Sequence, residues 1–185
     1  MRPGCAALIL SAMTQDEFDR NYPLILGWVE QTLSRYAPQA RALGSLGFKR
    51  LPGYFKPEVL ASAKVIYVAA VPVPPLTALG LPQFSEFEHL NAAGITYTDT
   101  FFAREELRGD EGLHFHEMVH VLQWRFLGSR AFIATYADGL ERAGYRHAPL
   151  EVMAYTLETV FAKSPAPFDV AAVVREELKQ LALTS

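Results

Sequence analysis

Residues 115–127, FHEMVHVLQWRFL, decide how the rest of the chain is interpreted. Their apolar side chains recur at spacings of three and four residues, which predicts a helix with one face packed inward. Asp110 is the expected N-cap of this helix, and Gly128 is expected to follow its last residue.

The same helix carries His116, Glu117 and His120 in the pattern H-E-x-x-H. Because an α-helix turns about 100° and rises about 1.5 Å per residue, the two histidines lie one turn apart, about 6 Å along the axis. Two imidazoles so placed can bind one ion at the roughly 2.0–2.1 Å that zinc prefers. Glu117 lies beside the first histidine, where a general base can reach the attacking water. The alternative is a buried helix with two hydrogen-bonded histidines.

A catalytic zinc site needs a third protein ligand and leaves the fourth position to water. The metzincin extension is excluded, because Gln123 and Phe126 stand where it has glycine and histidine. We expect Glu151 to be the third ligand, in the first turn of a helix that begins at Pro149. A buried carboxylate needs a partner, and the metal would be that partner. Two alternatives stay open: Glu151 is an exposed first-turn acid, or His147 on the preceding loop is the ligand or a transition-state donor.

At this point the chain resembles a known family. The segments FHEMVHVLQW (115–124) and PLEVMAY (149–155) resemble the gluzincins, in particular the small single-domain zinc metallopeptidases with an H-E-x-x-H…E pattern. The similarity covers about residues 94–160 and is weak before them. It implies a zincin-like fold that acts on a peptide or protein substrate.

The resemblance also implies a specific site. Zn²⁺ would be bound by His116, His120 and Glu151, and Glu117 would be the general base. Many gluzincins carry an acid four residues after the ligand glutamate, which orients the first histidine. That position is Tyr155 here, so the hydrogen-bond partner of the first histidine is left open.

Tyrosine is the usual alternative to histidine for stabilising an oxyanion beside zinc. Tyr145, on the loop before the Glu151 helix, is our first candidate, and Tyr155 is the second. Tyr136, on the intervening helix, is a third possibility. Tyr155 has an alternative role, in which it holds Glu151 or His116 by a hydrogen bond.

Four further residues near these motifs are expected to have no direct chemical role. Gln123 and Trp124 continue the metal-facing side of the helix and are expected to pack. His114 lies about 200° from His116 around the helix, so it should not bind the same ion and is expected at the surface or behind the ligands. His89 is expected to be structural.

The composition favours one globular domain. The chain has 185 residues, of which 50% are hydrophobic and 20% charged, enough to form a sizeable core. Proteins that bind nucleic acid usually carry an excess of basic residues, and the net charge of this chain is −3. Nucleic acid is therefore not expected to be the main partner. The chain has no apolar run of about 18 residues, so no membrane span is expected.

The N-terminal segment and the single cysteine bear on location. Cys5 cannot form an intrachain disulfide, which fits a reducing, cytoplasmic compartment. Residues 1–13, MRPGCAALILSAM, can be read as a truncated signal peptide with Cys5 as a lipid site. The short apolar core and the missing cleavage site favour an ordinary buried segment, so secretion is the less favoured alternative.

The remaining patterns predict an α+β, mostly helical domain with a small β-sheet, and the resemblance implies that this domain is zincin-like. Thr14 to Glu17 is a capping box that begins a helix, and Pro23 is expected to interrupt it and open a second one. We divide the single domain into an N-terminal helical part, a part with the sheet and the active-site helices, and a C-terminal helix: residues 1–63, 64–163 and 164–185.

Two segments are predicted to be strands. Residues 64–73, KVIYVAAVPV, are β-branched and aromatic, and residues 95–102 alternate enough to form a second strand. If the resemblance holds, the edge at residues 96–102 pairs with an extended substrate. The alternative is an ordinary strand of a core hairpin.

These observations together predict a zinc-dependent hydrolase, most simply a metallopeptidase. Glu117 would take a proton from the attacking water and pass it to the leaving amine. The alternative is a catalytically silent zinc-binding domain with a regulatory or interaction role, although such a domain has no need for Glu117. Hydrolysis of another amide or an ester is a related possibility.

Overall fold

The computed structural model describes residues 13–163 and 166–184. The described chain is α+β and mostly helical, as predicted. Its helices are α1 (Gln15–Tyr36), α2 (Pro57–Ser62), α3 (Ser85–Glu88), α4 (Glu111–Ala143), α5 (Pro149–Lys163) and α6 (Val170–Thr184). Its strands are β1 (Arg41–Ala42), β2 (Lys64–Val68), β3 (Gly94–Tyr97) and β4 (Thr100–Arg104). Within the described ranges, none of the helices has the length and apolar character needed to cross a bilayer. Most of the segment discussed above as a possible signal peptide, residues 1–12, lies outside the described residues.

Helix α1 begins at the predicted capping box but continues through Pro23. The Thr14 hydroxyl accepts the backbone N–H of Glu17, and the Glu17 carboxylate accepts the backbone N–H of Thr14. The predicted break at Pro23 is wrong. Its ring faces solvent, and burial of Phe18 and Val29 on either side of it offsets the one helical hydrogen bond that proline removes.

The sheet has the strand order β1-β2-β4-β3. Strands β2 and β4 are parallel, whereas β1 and β3 pair antiparallel with their neighbours. The single strand predicted at residues 95–102 is wrong, because Thr98 adopts a φ of 57° and reverses the chain into a hairpin. A β-branched residue rarely adopts this conformation, so the turn has no sequence signal. Of the two strands in this hairpin, only β3 is therefore at an edge of the sheet, and residues 100–102 of β4 lie inside it.

Helix α4 packs against α1, α5, α6 and the strands β3 and β4, and Asp110 and Gly128 act as predicted. Asp110 caps it by accepting the N–H of Leu113 at 3.1 Å. Gly128 breaks it into two helical halves with a φ of 75°, and Gly144 ends it with a φ of 73°. Residues 114–124 are all buried. A helix buried all round leaves each of its polar side chains in need of a partner.

A close contact between α4 and the start of α5 fixes the position of Glu151. A Cβ placed on Gly139 would lie 2.8 Å from Cδ of Pro149 and 3.1 Å from Cβ of Ala148. Only glycine therefore lets the two segments approach so closely. This contact packs the start of α5 against the half of α4 that follows Gly128.

Candidate metal centre

His116 and His120 from α4 and Glu151 from α5 form one buried cluster. Their exposed fractions are 5%, 5% and 2%. The Nε2 atoms of the two histidines are 3.1 Å apart, and the Glu151 oxygens lie 3.5 Å from Nε2 of His116 and 3.3 Å from Nε2 of His120. One ligand atom from each residue lies within 4.8 Å of the other two, so the three can hold a metal ion. Glu151 is not the exposed acid of the alternative interpretation.

The donor atoms of this cluster fit a cation. The Oε2 atom of Glu151 is buried and has no hydrogen-bond partner, which is rare and costly for a carboxylate. It faces two imidazole nitrogens, which are metal ligands when neutral. Two nitrogens and one carboxylate match the ligand types that zinc accepts, although other divalent metals accept them as well.

The charges around the cluster lead to the same interpretation. Burial alone would lower the pKa of His116, but the nearby carboxylates of Glu151, Glu158 and Glu117 outweigh it and raise that pKa to about 10. Burial likewise opposes ionisation of Glu151, yet His120 and His116 hold its pKa well below the usual range. Without a metal, a proton on His116 compensates the buried negative charge. A divalent cation can take over that role.

The partner that orients His116 is Glu158, which the sequence analysis did not identify. Its Oε2 atom lies 3.0 Å from Nδ1 of His116. With Nδ1–H donating to this carboxylate, Nε2 is left as the acceptor that faces the cluster. Glu158 follows Glu151 by seven residues, two helical turns, so it shares a face of α5 with it. That spacing was the available signal, and Tyr155 does not fill this position.

Gln123 was expected to pack and not to take part in catalysis, and it is buried, but it also makes hydrogen bonds that the sequence did not predict. Its Oε1 atom lies 2.8 Å from Nδ1 of His120, and its Nε2 atom donates to the Leu150 carbonyl at 3.0 Å. Gln123 thus links the second histidine to the first turn of α5. Trp124 does pack, against Phe132.

Glu117 lies next to the cluster without belonging to it. Its side chain is only 3% exposed, and its Oε2 atom accepts the Thr96 hydroxyl at 2.6 Å. Burial raises the pKa of this carboxyl, although His116 and His120 act in the opposite direction. A Cβ on Gly94 would lie 2.4 Å from its Oε1 atom. Strand β3 therefore positions Glu117 in two ways. The Thr96 hydroxyl donates a hydrogen bond to its carboxylate, and Gly94, which has no side chain, leaves room for that carboxylate.

The three tyrosines occupy different places around the cluster. Tyr136 donates its hydroxyl to Oε1 of Glu151 at 2.7 Å, so it has the supporting role considered above for Tyr155. The Tyr155 ring packs on His116 with 4.5 Å between centroids. Tyr145 lines the same pocket as Glu117 and Glu151.

The other histidines lie outside the cluster. His147 is exposed in a short turn before α5, so the structure does not bring it to the metal ligands. His114 is fully buried and not at the surface, because its ring is held between the Asp110 carbonyl and the Tyr67 hydroxyl at 2.7 and 2.8 Å. It does not join the cluster, as the helical geometry predicted. His89 hydrogen-bonds to the Ser85 carbonyl.

Comparison with protein-family models, curated proteins and solved structures finds no match for this chain. The resemblance to the gluzincins therefore rests on the residues of the site.

Proposed function

We propose that this chain is a metal-dependent hydrolase, and most specifically a zinc metallopeptidase of the gluzincin type. The observation that supports it best is the position of Glu117. A carboxylate that is almost fully buried lies beside a His-His-Glu cluster and is held by Thr96, yet it contributes no ligand atom to the cluster. Burying such a group costs free energy, and buried carboxylates with shifted pKa values are typical of sites that transfer protons.

The cluster would hold the metal through His116, His120 and Glu151, with Glu158, Gln123 and Tyr136 fixing the three ligands. Bound there, zinc would act as a Lewis acid toward the scissile carbonyl and lower the pKa of a water molecule toward about 7. In this proposal, side chains of the protein carry out the remaining steps.

Glu117 would accept the proton of the attacking water and later donate it to the leaving amine. The burial that raises its pKa suits both directions of transfer, because a catalytic acid or base works best with a pKa near the working pH. Tyr145 is the preferred donor to the developing oxyanion, since it lines the pocket beside Glu117. Burial and the Glu151 carboxylate raise the pKa of Tyr145, so its hydroxyl keeps its proton.

The test combines metal analysis with cleavage of a peptide library. We expect one zinc per wild-type chain and cleavage of a subset of peptides. Glu117→Gln should keep the zinc and lose the cleavage, by about 10²–10⁴-fold, whereas Glu151→Ala should lose the zinc. Glu177→Gln, at an exposed position of α6, is the matched control and should behave like the wild type.

Three outcomes would contradict parts of this proposal. Glu151→Ala with a full equivalent of zinc would remove Glu151 from the ligand set. Full activity of Glu117→Gln would remove the general base. One zinc per chain with no hydrolysis of any peptide, amide or ester would instead support a catalytically silent metal-binding domain.

A further inference from the structure

A pocket opens directly from the candidate metal centre. Its volume is about 110 Å³, comparable with the engineered cavity of roughly 150 Å³ that binds benzene. Glu117, His120 and Glu151 lie in its wall. A molecule that places a carbonyl at these residues therefore extends the adjoining group into the pocket.

Most of the rest of the wall is apolar, although Asn21, Thr96 and Tyr136 also line it, and its large apolar side chains come mainly from three parts of the chain. Helix α1 contributes Phe18, Ile25 and Val29, and the connection between β2 and β3 contributes further large side chains. The second half of α4 contributes Phe132, Ile133, Ala137 and Leu140. Among the described residues of the wall, the carboxylates are Glu117 and Glu151, and no lysine, arginine or aspartate is present.

This chemistry selects one class of occupant. A charged group in the apolar part of the pocket would lose its hydration without gaining a partner, which is strongly unfavourable. A small group would leave the apolar wall without contacts, whereas an uncharged apolar group about the size of a benzene ring would fill it.

We infer that the substrate carries a large, uncharged apolar group next to the scissile bond, and that this pocket binds it. The inference rests on the proposed function, because it takes the bond to be cleaved to lie at Glu117. The apolar group is either a side chain such as that of leucine or phenylalanine, or a short acyl chain. The two share the same recognition chemistry, and the test below distinguishes them.

Binding is measured first, without any need for turnover. The full chain, metal-free and zinc-loaded, is titrated with N-acetylphenylalaninamide, octanamide and N-acetylglycinamide, and binding is followed by the fluorescence of Trp124, which lies in the pocket wall. We expect the first or the second compound to bind at least about 10-fold more tightly than the glycine compound. The stronger of the two identifies the source of the apolar group.

Two alanines of α4 provide a matched pair of variants. Ala137 lines the pocket, whereas Ala131 on the same helix is exposed and does not line it. Ala137→Phe should fill the pocket and weaken apolar binding at least about 10-fold with zinc content unchanged, while Ala131→Phe should leave both unchanged. Equal effects of the two substitutions, or equal binding of the glycine compound, would overturn the inference.

Cleavage then separates this inference from the proposed function. Among library peptides we expect kcat/KM to be at least about 100-fold higher with leucine or phenylalanine beside the scissile bond than with alanine, since each methylene group in such a pocket can contribute about 10-fold or more. Cleavage without this preference would refute the pocket assignment and leave the hydrolase intact. The opposite outcome is a protein that cleaves nothing but binds apolar compounds and loses this binding in Ala137→Phe. That outcome would refute the proposed hydrolase function and leave the pocket assignment intact.

Discussion

Replacing Gly94 by alanine tests whether strand β3 positions the proposed general base. The new Cβ would lie 2.4 Å from Oε1, 2.9 Å from Cδ and 3.1 Å from Cγ of Glu117. Ordinary contacts begin at 3.4 Å, so the carboxylate oxygen must move by 3.4 − 2.4 = 1.0 Å. The displacement acts on the end of a flexible side chain, because the atoms in conflict belong to Glu117 and not to backbone.

The expected effects on stability and on activity differ in size. Gly94 has no positive φ, so alanine suits its backbone and stabilises a strand by about 0.5–1 kcal/mol relative to glycine. Loss of the Thr96–Glu117 hydrogen bond, whose acceptor is a carboxylate, costs about 1.5–3 kcal/mol, so the free energy of unfolding should fall by about 0.5–2.5 kcal/mol. A displacement of about 1 Å at a catalytic group costs about 10²-fold in rate. We therefore expect kcat to fall about 100-fold and stability to fall modestly, while zinc affinity changes little.

Three measurements on the same preparations test this expectation: kcat on the best library peptide, zinc affinity by chelator competition, and urea unfolding. The control is Gly27→Ala in α1, where an added Cβ meets nothing within 4 Å; it should keep full activity and stabilise the helix by about 0.5–1 kcal/mol. In a Glu117→Ala background, Gly94→Ala should cause no further loss of activity. Full activity of Gly94→Ala, or an equal loss in the Glu117→Ala background, would refute this account of Gly94.

Three further substitutions test the residues that support the cluster. Glu158→Gln keeps a hydrogen-bonding group near His116 but removes the charge, and should weaken zinc binding about 10-fold or more by chelator competition; unchanged affinity would exclude Glu158 from metal binding. Tyr136→Phe removes a donor from Glu151 and should weaken zinc binding about 10–100-fold and destabilise the metal-free protein by about 1 kcal/mol in urea. Gly139→Ala overlaps the start of α5 and should lower the free energy of unfolding by about 1–3 kcal/mol; a wild-type urea midpoint would show that the two segments separate at no cost.

The parts of the site that follow from local geometry were predictable from the sequence. His116 and His120 share a helix face because of the helical repeat alone, and Gly128 and Gly144 end helical segments because each adopts a positive φ. Glu151 was predictable because the first turn of a helix beginning with proline is recognisable, and because a carboxylate there needs a partner.

The residues that the sequence analysis missed depend on how two helices pack. The packing of α5 against α4 decides which residue of α5 reaches His116. The residue four positions after Glu151 is Tyr155 and the one seven positions after it is Glu158, and it is Glu158 that hydrogen-bonds with His116. Gln123 was expected to pack on the metal-facing side of α4, and its second partner, the Leu150 carbonyl, lies on another helix. The hairpin at Thr98 was missed because a β-branched residue there gives no turn signal.

The balance of charge links the fold to its proposed function. Glu117 and Glu151 are both almost fully buried in one site, and among the described residues that line the adjoining pocket no lysine or arginine faces them. Burying two anions costs several kcal/mol each unless positive charge accompanies them. The histidines supply that charge only when protonated, and a protonated imidazole cannot bind a metal. A proton on His116 therefore offsets only one of the two negative charges, whereas a divalent cation in the cluster would offset both, and under the proposed mechanism only the cation would give Glu117 a water molecule to deprotonate.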